Sequence, residues 1–80
     1  MEPTLEEVIE LLQDVEEGVD YETCTTLVDD RYLDSFDIIS IINAIDEEFD
    51  VAVPAKDIVP DNFNSASAIH ALILRLQEED

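Results

Sequence analysis

At 80 residues, 46% of them hydrophobic, the chain reads as one domain over positions 1–80 that can build a core but has little interior left for an enclosed active site. Its 22 Asp+Glu against 3 Lys+Arg give a formal net charge of -19, which makes nucleic acid and anionic membranes poor partners and basic patches on other proteins good ones. One cysteine, Cys24, excludes an internal disulfide framework; with no basic leader, and no apolar run of membrane-spanning length, the expectation is a cytoplasmic monomer.

Thr4 and Glu7 have the spacing of a capping box, and Leu5, Val8, Ile9, Leu12 and Val15 follow at helical intervals, so a first helix is predicted over about 5–16, stopped by Gly18. From Gly18 to Leu33 no period is sustained. This long loop is expected to be ordered, because Val19, Tyr21, Leu27, Val28, Tyr32 and Leu33 give it apolar anchors.

A second helix is predicted over 35–49, with Asp34 as its N-cap and Asp37 three residues on, near the positive end of the helix dipole. Phe36, Ile39, Ile42, Ile45 and Phe49 are placed on its apolar stripe, with Ile38 and Ile41 widening it. Pro54 suits the first position of a short third helix over 54–59, which Pro60 is expected to end. Asn64 or Ser65 caps a last helix over 65–77, with Ala66, Ile69, Leu72, Ile73 and Leu76 on its inner face. Three longer helices and one short one predict an all-α fold, a small four-helix bundle with a long loop between its first and second helices.

Chemistry-bearing residues are few. His70, the single histidine, could act as a base for Cys24 or Ser35, but beside an apolar stripe in a packing helix it reads as a half-exposed structural residue. Cys24 has no cation near it in sequence to lower its pKa, and reads as a small loop residue. Asp29, Asp30, Asp34 and Asp37 miss the ligand spacing of an EF-hand and have no glycine among them, so no metal site is assigned.

The informative segment is Leu33-Asp34-Ser35-Phe36-Asp37, where the long loop meets the second helix. Asp34-Ser35-Phe36 resembles the attachment motif of acyl carrier proteins, and Asp46-Glu47-Glu48-Phe49-Asp50-Val51-Ala52-Val53-Pro54 is similar to that family's acidic helix end and the proline beyond it. The likeness in helix lengths and first loop extends from Leu5 to Leu76. It implies a four-helix carrier fold without catalytic residues, with 4'-phosphopantetheine from coenzyme A joined to Ser35 by a phosphopantetheinyl transferase. It also implies a thioester cargo received from an acyl- or aminoacyl-activating ligase and passed to a transferase or synthase. Asp34, Asp37, Asp46, Glu47 and Glu48 would dock basic patches on those enzymes.

Two positions depart from the family pattern: Arg31 stands where glycine is common, and Ser40 where a glutamate is common in the second helix. Phe36 together with Asp61-Asn62-Phe63-Asn64-Ser65 looks more like the D-alanyl carrier proteins than like the carriers of fatty-acid synthesis. Against the carrier stand an acidic protein-interaction module or nucleic-acid mimic, which needs the charge but not Ser35, and a cation-binding or esterase-like protein, for which no ligand loop or base is visible. Ser35 in isolation would read as an ordinary helix-capping serine.

Overall fold

Thr4 starts the first helix with the reciprocal cap its spacing predicts: the Glu7 amide donates to Thr4 Oγ1 at 3.2 Å and the Thr4 amide to Glu7 Oε1 at 3.0 Å. In the computed structural model, which describes residues 2–79, this helix, α1, runs Leu5–Val15 and buries Val8, Leu11 and Leu12. Glu16 leaves it in an extended conformation, and Gly18 follows at φ +86°, a backbone angle other residues rarely adopt. Then come α2 over Ser35–Phe49, a single 3-10 turn over Ala55–Asp57, α3 over Pro60–Phe63 and α4 over Ala66–Glu79. Among the described residues every regular element is helical, and none is long and apolar enough to cross a membrane.

The loop from Gly18 to Leu33 is ordered as expected, and part of the core belongs to it. Tyr21, Leu27 and Leu33 are buried with the apolar faces of α1, α2 and α4, while Val19 and Val28 pack at the edge. Of its predicted anchors only Tyr32, 52% exposed, stays outside. Bonds from the Cys24 amide to Asp20 O, Asp30 to Thr26 O and Leu33 to Leu27 O fold it into successive turns, giving several of its backbone groups partners without a strand or helix.

Two sequence expectations are corrected. In α2 the core-facing residues are Ile41 and Ile45, with Ile38, Ile42 and Phe49 half-buried, whereas Phe36 is 80% and Ile39 56% exposed. Residues three apart drift around a helix of 3.6 residues per turn, so Phe36 and Ile45, nine apart, come to lie on opposite sides. The second correction concerns the short helix predicted over 54–59. That interval holds only the turn at Ala55–Asp57, with Pro54 extended, and Pro60 begins a helix instead of ending one. A proline at the first helical position gives up an amide that would have no partner there, so the same residue that blocks a helix before it favours one after it.

Ser65, one of the two caps anticipated for α4, accepts the Ala68 amide at 3.0 Å, and α4 continues to Glu79, past the expected end at 77. Asn64 is engaged elsewhere. α1 packs against both α2 and α4, and α3 against α4, in a small helical bundle in which the start of α2, the loop before it and α3 come together.

Candidate functional site

Ser35 is the first residue of α2 and is exposed. The cap before it is made by aspartates: the Asp37 amide donates to Asp34 Oδ1 at 2.9 Å, and the Asp34 amide to Asp37 Oδ2 at 3.2 Å. Asp34 is extended, at φ -99° and ψ -175°, so its carboxylate reaches over the first turn and takes the place a capping serine would fill. Among the described residues no hydrogen bond engages the Ser35 hydroxyl. The amides of Ser35 and Phe36, opening the helix, have no intrahelical acceptor and add to the positive end of its dipole.

The turn leading to this motif carries a strained residue. Arg31 has φ 63°, in the left-handed region, and its amide donates to Val28 O at 3.0 Å. An L-residue with a Cβ is disfavoured there by roughly 1–2 kcal/mol, whereas glycine is not. Arg31 therefore keeps the backbone shape that glycine would take.

Asn64, whose type alone suggested only a cap, ties this loop to the α3–α4 junction. Its Oδ1 accepts the amides of Val28 at 3.0 Å and Asp29 at 3.1 Å, its carbonyl accepts the Leu27 amide at 2.9 Å, and its Nδ2 donates to Asp29 Oδ2 at 3.3 Å. The contacts span 35 and 36 positions of sequence, which is why no local pattern announces them.

Next to Ser35 opens an apolar groove of about 320 Å³. α2 supplies Ser35, Ile38 and Ile39 to one wall and the loop supplies Val28, while Ile58, Val59 and Pro60 form the facing wall over Phe63. Ile39, Ile58 and Val59 are three of the six large apolar residues left exposed among the described residues, so much of their uncovered apolar surface lies around one hydroxyl. In sequence Ile58 and Val59 read as the end of a helix over 54–59 and Pro60 as its stop, and none of the three as part of a site. Their one signal was an apolar pair before a proline.

The acids assigned to docking do not share one face. Asp34 is exposed, but Asp37 is half-buried and holds the cap, and Glu48 borders an acidic hollow between α1 and α2 with Glu7, Glu10 and Asp14. Asp46 and Glu47 are exposed on the outer side of α2, where Ser40 and Asn43 are also exposed and uncharged. Behind Asp37 stands Glu16, which sequence reading passed over. Its carboxyl is pushed above its ordinary range, first by the charge of Asp37, then by partial desolvation, a hydrogen bond with the Asp37 carboxyl, and the charges of Asp34 and Glu17.

His70 lies away from this constellation in its bonding, with Nε2 2.9 Å from Pro3 O. Cys24 is half-buried with Sγ 3.8 Å from Thr26 Oγ1. Among the described residues no three His, Cys, Asp or Glu side chains converge as a metal site would require. Comparison of the chain with protein-family models, with curated proteins and with solved structures found no match in any of the three.

Proposed function

We propose that the protein is a carrier of the acyl carrier type, not itself an enzyme, with Ser35 as the attachment residue for 4'-phosphopantetheine. The observation that carries the reading is the exposed, uncommitted Ser35 hydroxyl at the start of α2, freed by the Asp34–Asp37 cap and set beside an apolar groove. The residues present fit such a group: the free amides of Ser35 and Phe36 favour a phosphodiester oxygen at the first helical turn, and the groove offers apolar lining to whatever the arm holds. The terminal thiol of the bound arm supplies the thioester chemistry. Attachment replaces the Ser35 O–H bond with an O–P bond, breaks the pyrophosphate linkage of coenzyme A, and releases adenosine 3',5'-bisphosphate and the proton.

The chain's own contribution is presentation and docking. A helix C-terminus is the negative end of its dipole, and α2 places Asp46, Glu47 and Glu48 there with no basic residue in the last turn, an arrangement that opposes helix stability. Acids held at such a site are consistent with docking to Lys and Arg on an activating ligase, a phosphopantetheinyl transferase and a downstream transferase or synthase. The apolar groove favours an acyl cargo over the D-alanyl cargo that Phe36 and Asp61–Ser65 suggest by resemblance.

Intact mass spectrometry after incubation with coenzyme A, magnesium and broad-specificity transferases tests the reading. One phosphopantetheine is expected to add to the wild type and none to Ser35→Ala. No gain with several active transferases rejects the carrier function and leaves the acidic interaction module as the better account.

A further inference from the structure

The facing wall of the groove is carried by residues 50–60, the segment that joins α2 to α3, with the Val59 carbonyl accepting the Asn62 amide at 3.0 Å and Pro60 opening α3. Val51 is buried and Val53 half-buried, but among the described residues no hydrogen bond holds the amides of Val51, Ala52 or Val53. At its far end Asp57 is buried, and its Oδ1 pairs with Arg75 Nη2 of α4 at 2.9 Å. The Asp57 carbonyl also accepts Asn62 Nδ2 at 2.8 Å, so the same residue links the turn to α3. Ile58, Val59 and Pro60 follow Asp57 directly.

We propose that Asp57 and Arg75 form a latch that seals this strap against α4 and so fixes the position of the Ile58-Val59-Pro60 wall beside Ser35. Two features make it a latch and not a permanent clamp. Among the described residues the second Asp57 oxygen, Oδ2, is buried without a hydrogen-bond partner, so closure leaves it dry, and opening would return it to water. The guanidinium is half-exposed and divided between two carboxylates, with Nη1 on Glu79 Oε2 at 3.0 Å, so Arg75 has a second partner to keep when Asp57 leaves. Release moves the strap outward and widens the groove while α1, α2 and α4 stay packed. Asp57 and Arg75 are thus positioning residues, and the use of their motion to shield or release a cargo rests on the carrier reading.

Amide hydrogen exchange of the unmodified chain, with solvent paramagnetic relaxation of its methyl groups, tests the latch in the wild type, Arg75→Gln and Arg75→Lys. Arg75 is exposed enough that these variants are expected to fold. In Arg75→Gln the amides of Asp57, Ile58 and Val59, each now bonded within the strap, are expected to exchange at least tenfold faster, with the α2 core amides unchanged. The Val28 and Ile38 methyls should relax at least twofold faster than in the wild type, with Ile45 as the buried reference, and Arg75→Lys should fall between. Strap amides that do not speed up, or that speed up only in step with α2, overturn the latch; faster strap exchange with unchanged Val28 and Ile38 relaxation overturns its control of the groove. Absence of loading at Ser35 rejects the carrier function and leaves these measurements fully decisive for the latch.

Discussion

Asp34 and Asp37 cap each other at the head of α2, each amide bonded to the other's carboxylate, and Ser35 between them is left out of the exchange. The two neighbours should therefore respond differently to mutation. Asp34→Ala removes the cap and is expected to destabilise by about 1 kcal/mol in urea unfolding. Ser35→Ala, at an exposed first position with no bond to lose, should change stability by less than about 0.5 kcal/mol while abolishing any attachment.

Strain at the two left-handed residues predicts stabilising substitutions. Arg31→Gly relieves the left-handed penalty but adds freedom to the unfolded chain, for a net gain of about 0.5–1 kcal/mol over Arg31→Ala, which changes the charge equally. Asp50, the C-cap of α2 at φ 57°, should gain more, about 1 kcal/mol in Asp50→Gly, because the change also removes a carboxylate from the negative end of the helix. Equal midpoints for Arg31→Gly and Arg31→Ala in urea would show that the turn carries no such strain.

What local sequence could express, it expressed well, and the limits are physical. Caps at Thr4 and Asp34 depend on side chains reaching two or three residues, and both have the spacing their geometry requires. Which apolar residues of α2 face inward depended on neighbours far away in sequence, since its isoleucines spread over nearly half of the helix circumference and offer several possible stripes, and packing against α1 and the rest of the core selects the one through Ile41 and Ile45. Pro60 was ambiguous for a different reason, because its chemistry suits both the residue after one helix and the first residue of the next. The Asp34-Ser35-Phe36 junction was legible, but its surroundings were not. The groove needs Val28, Ile39 and Val59 brought together from three separate segments, and Asn64 holds the loop through contacts invisible to any short window.

Asn64→Ala removes the acceptor of two loop amides and the donor to Asp29 while leaving the backbone bond to Leu27 in place. The Asp29 amide is exposed and can turn to water, whereas Val28 is half-buried and cannot do so freely, so the loss is expected to be about 1–3 kcal/mol. Amide exchange should accelerate most from Leu27 to Leu33, ahead of α1 and α4. Uniform acceleration would mean that Asn64 supports the whole fold and not the loop in particular.

The junction of α1 and α2 makes stability depend on pH in a direction unusual for carboxylates. Glu16 has its folded pKa raised, chiefly by Asp37, so the folded state binds a proton more readily than the unfolded one. Its favourable contribution is complete below the ordinary glutamate value of 4.5 and is lost as pH rises through the higher folded value. Mild acidification from neutral pH should therefore raise the thermal midpoint, helped by the discharge of an acidic surface whose net charge is -19 at pH 7. Glu16→Gln isolates the local part. It removes the repulsion at every pH, so the variant should be more stable than wild type at pH 7, with the difference shrinking as pH falls toward 4.5. Tyr21, whose hydroxyl donates to Glu16 O at 2.6 Å and whose pKa is pushed up to about 12 by burial and by Glu16 and Asp37, gives a second readout. Its alkaline titration should move toward the ordinary value of 10.0 in Glu16→Gln, and an unmoved titration would rule out a Glu16 contribution at that junction.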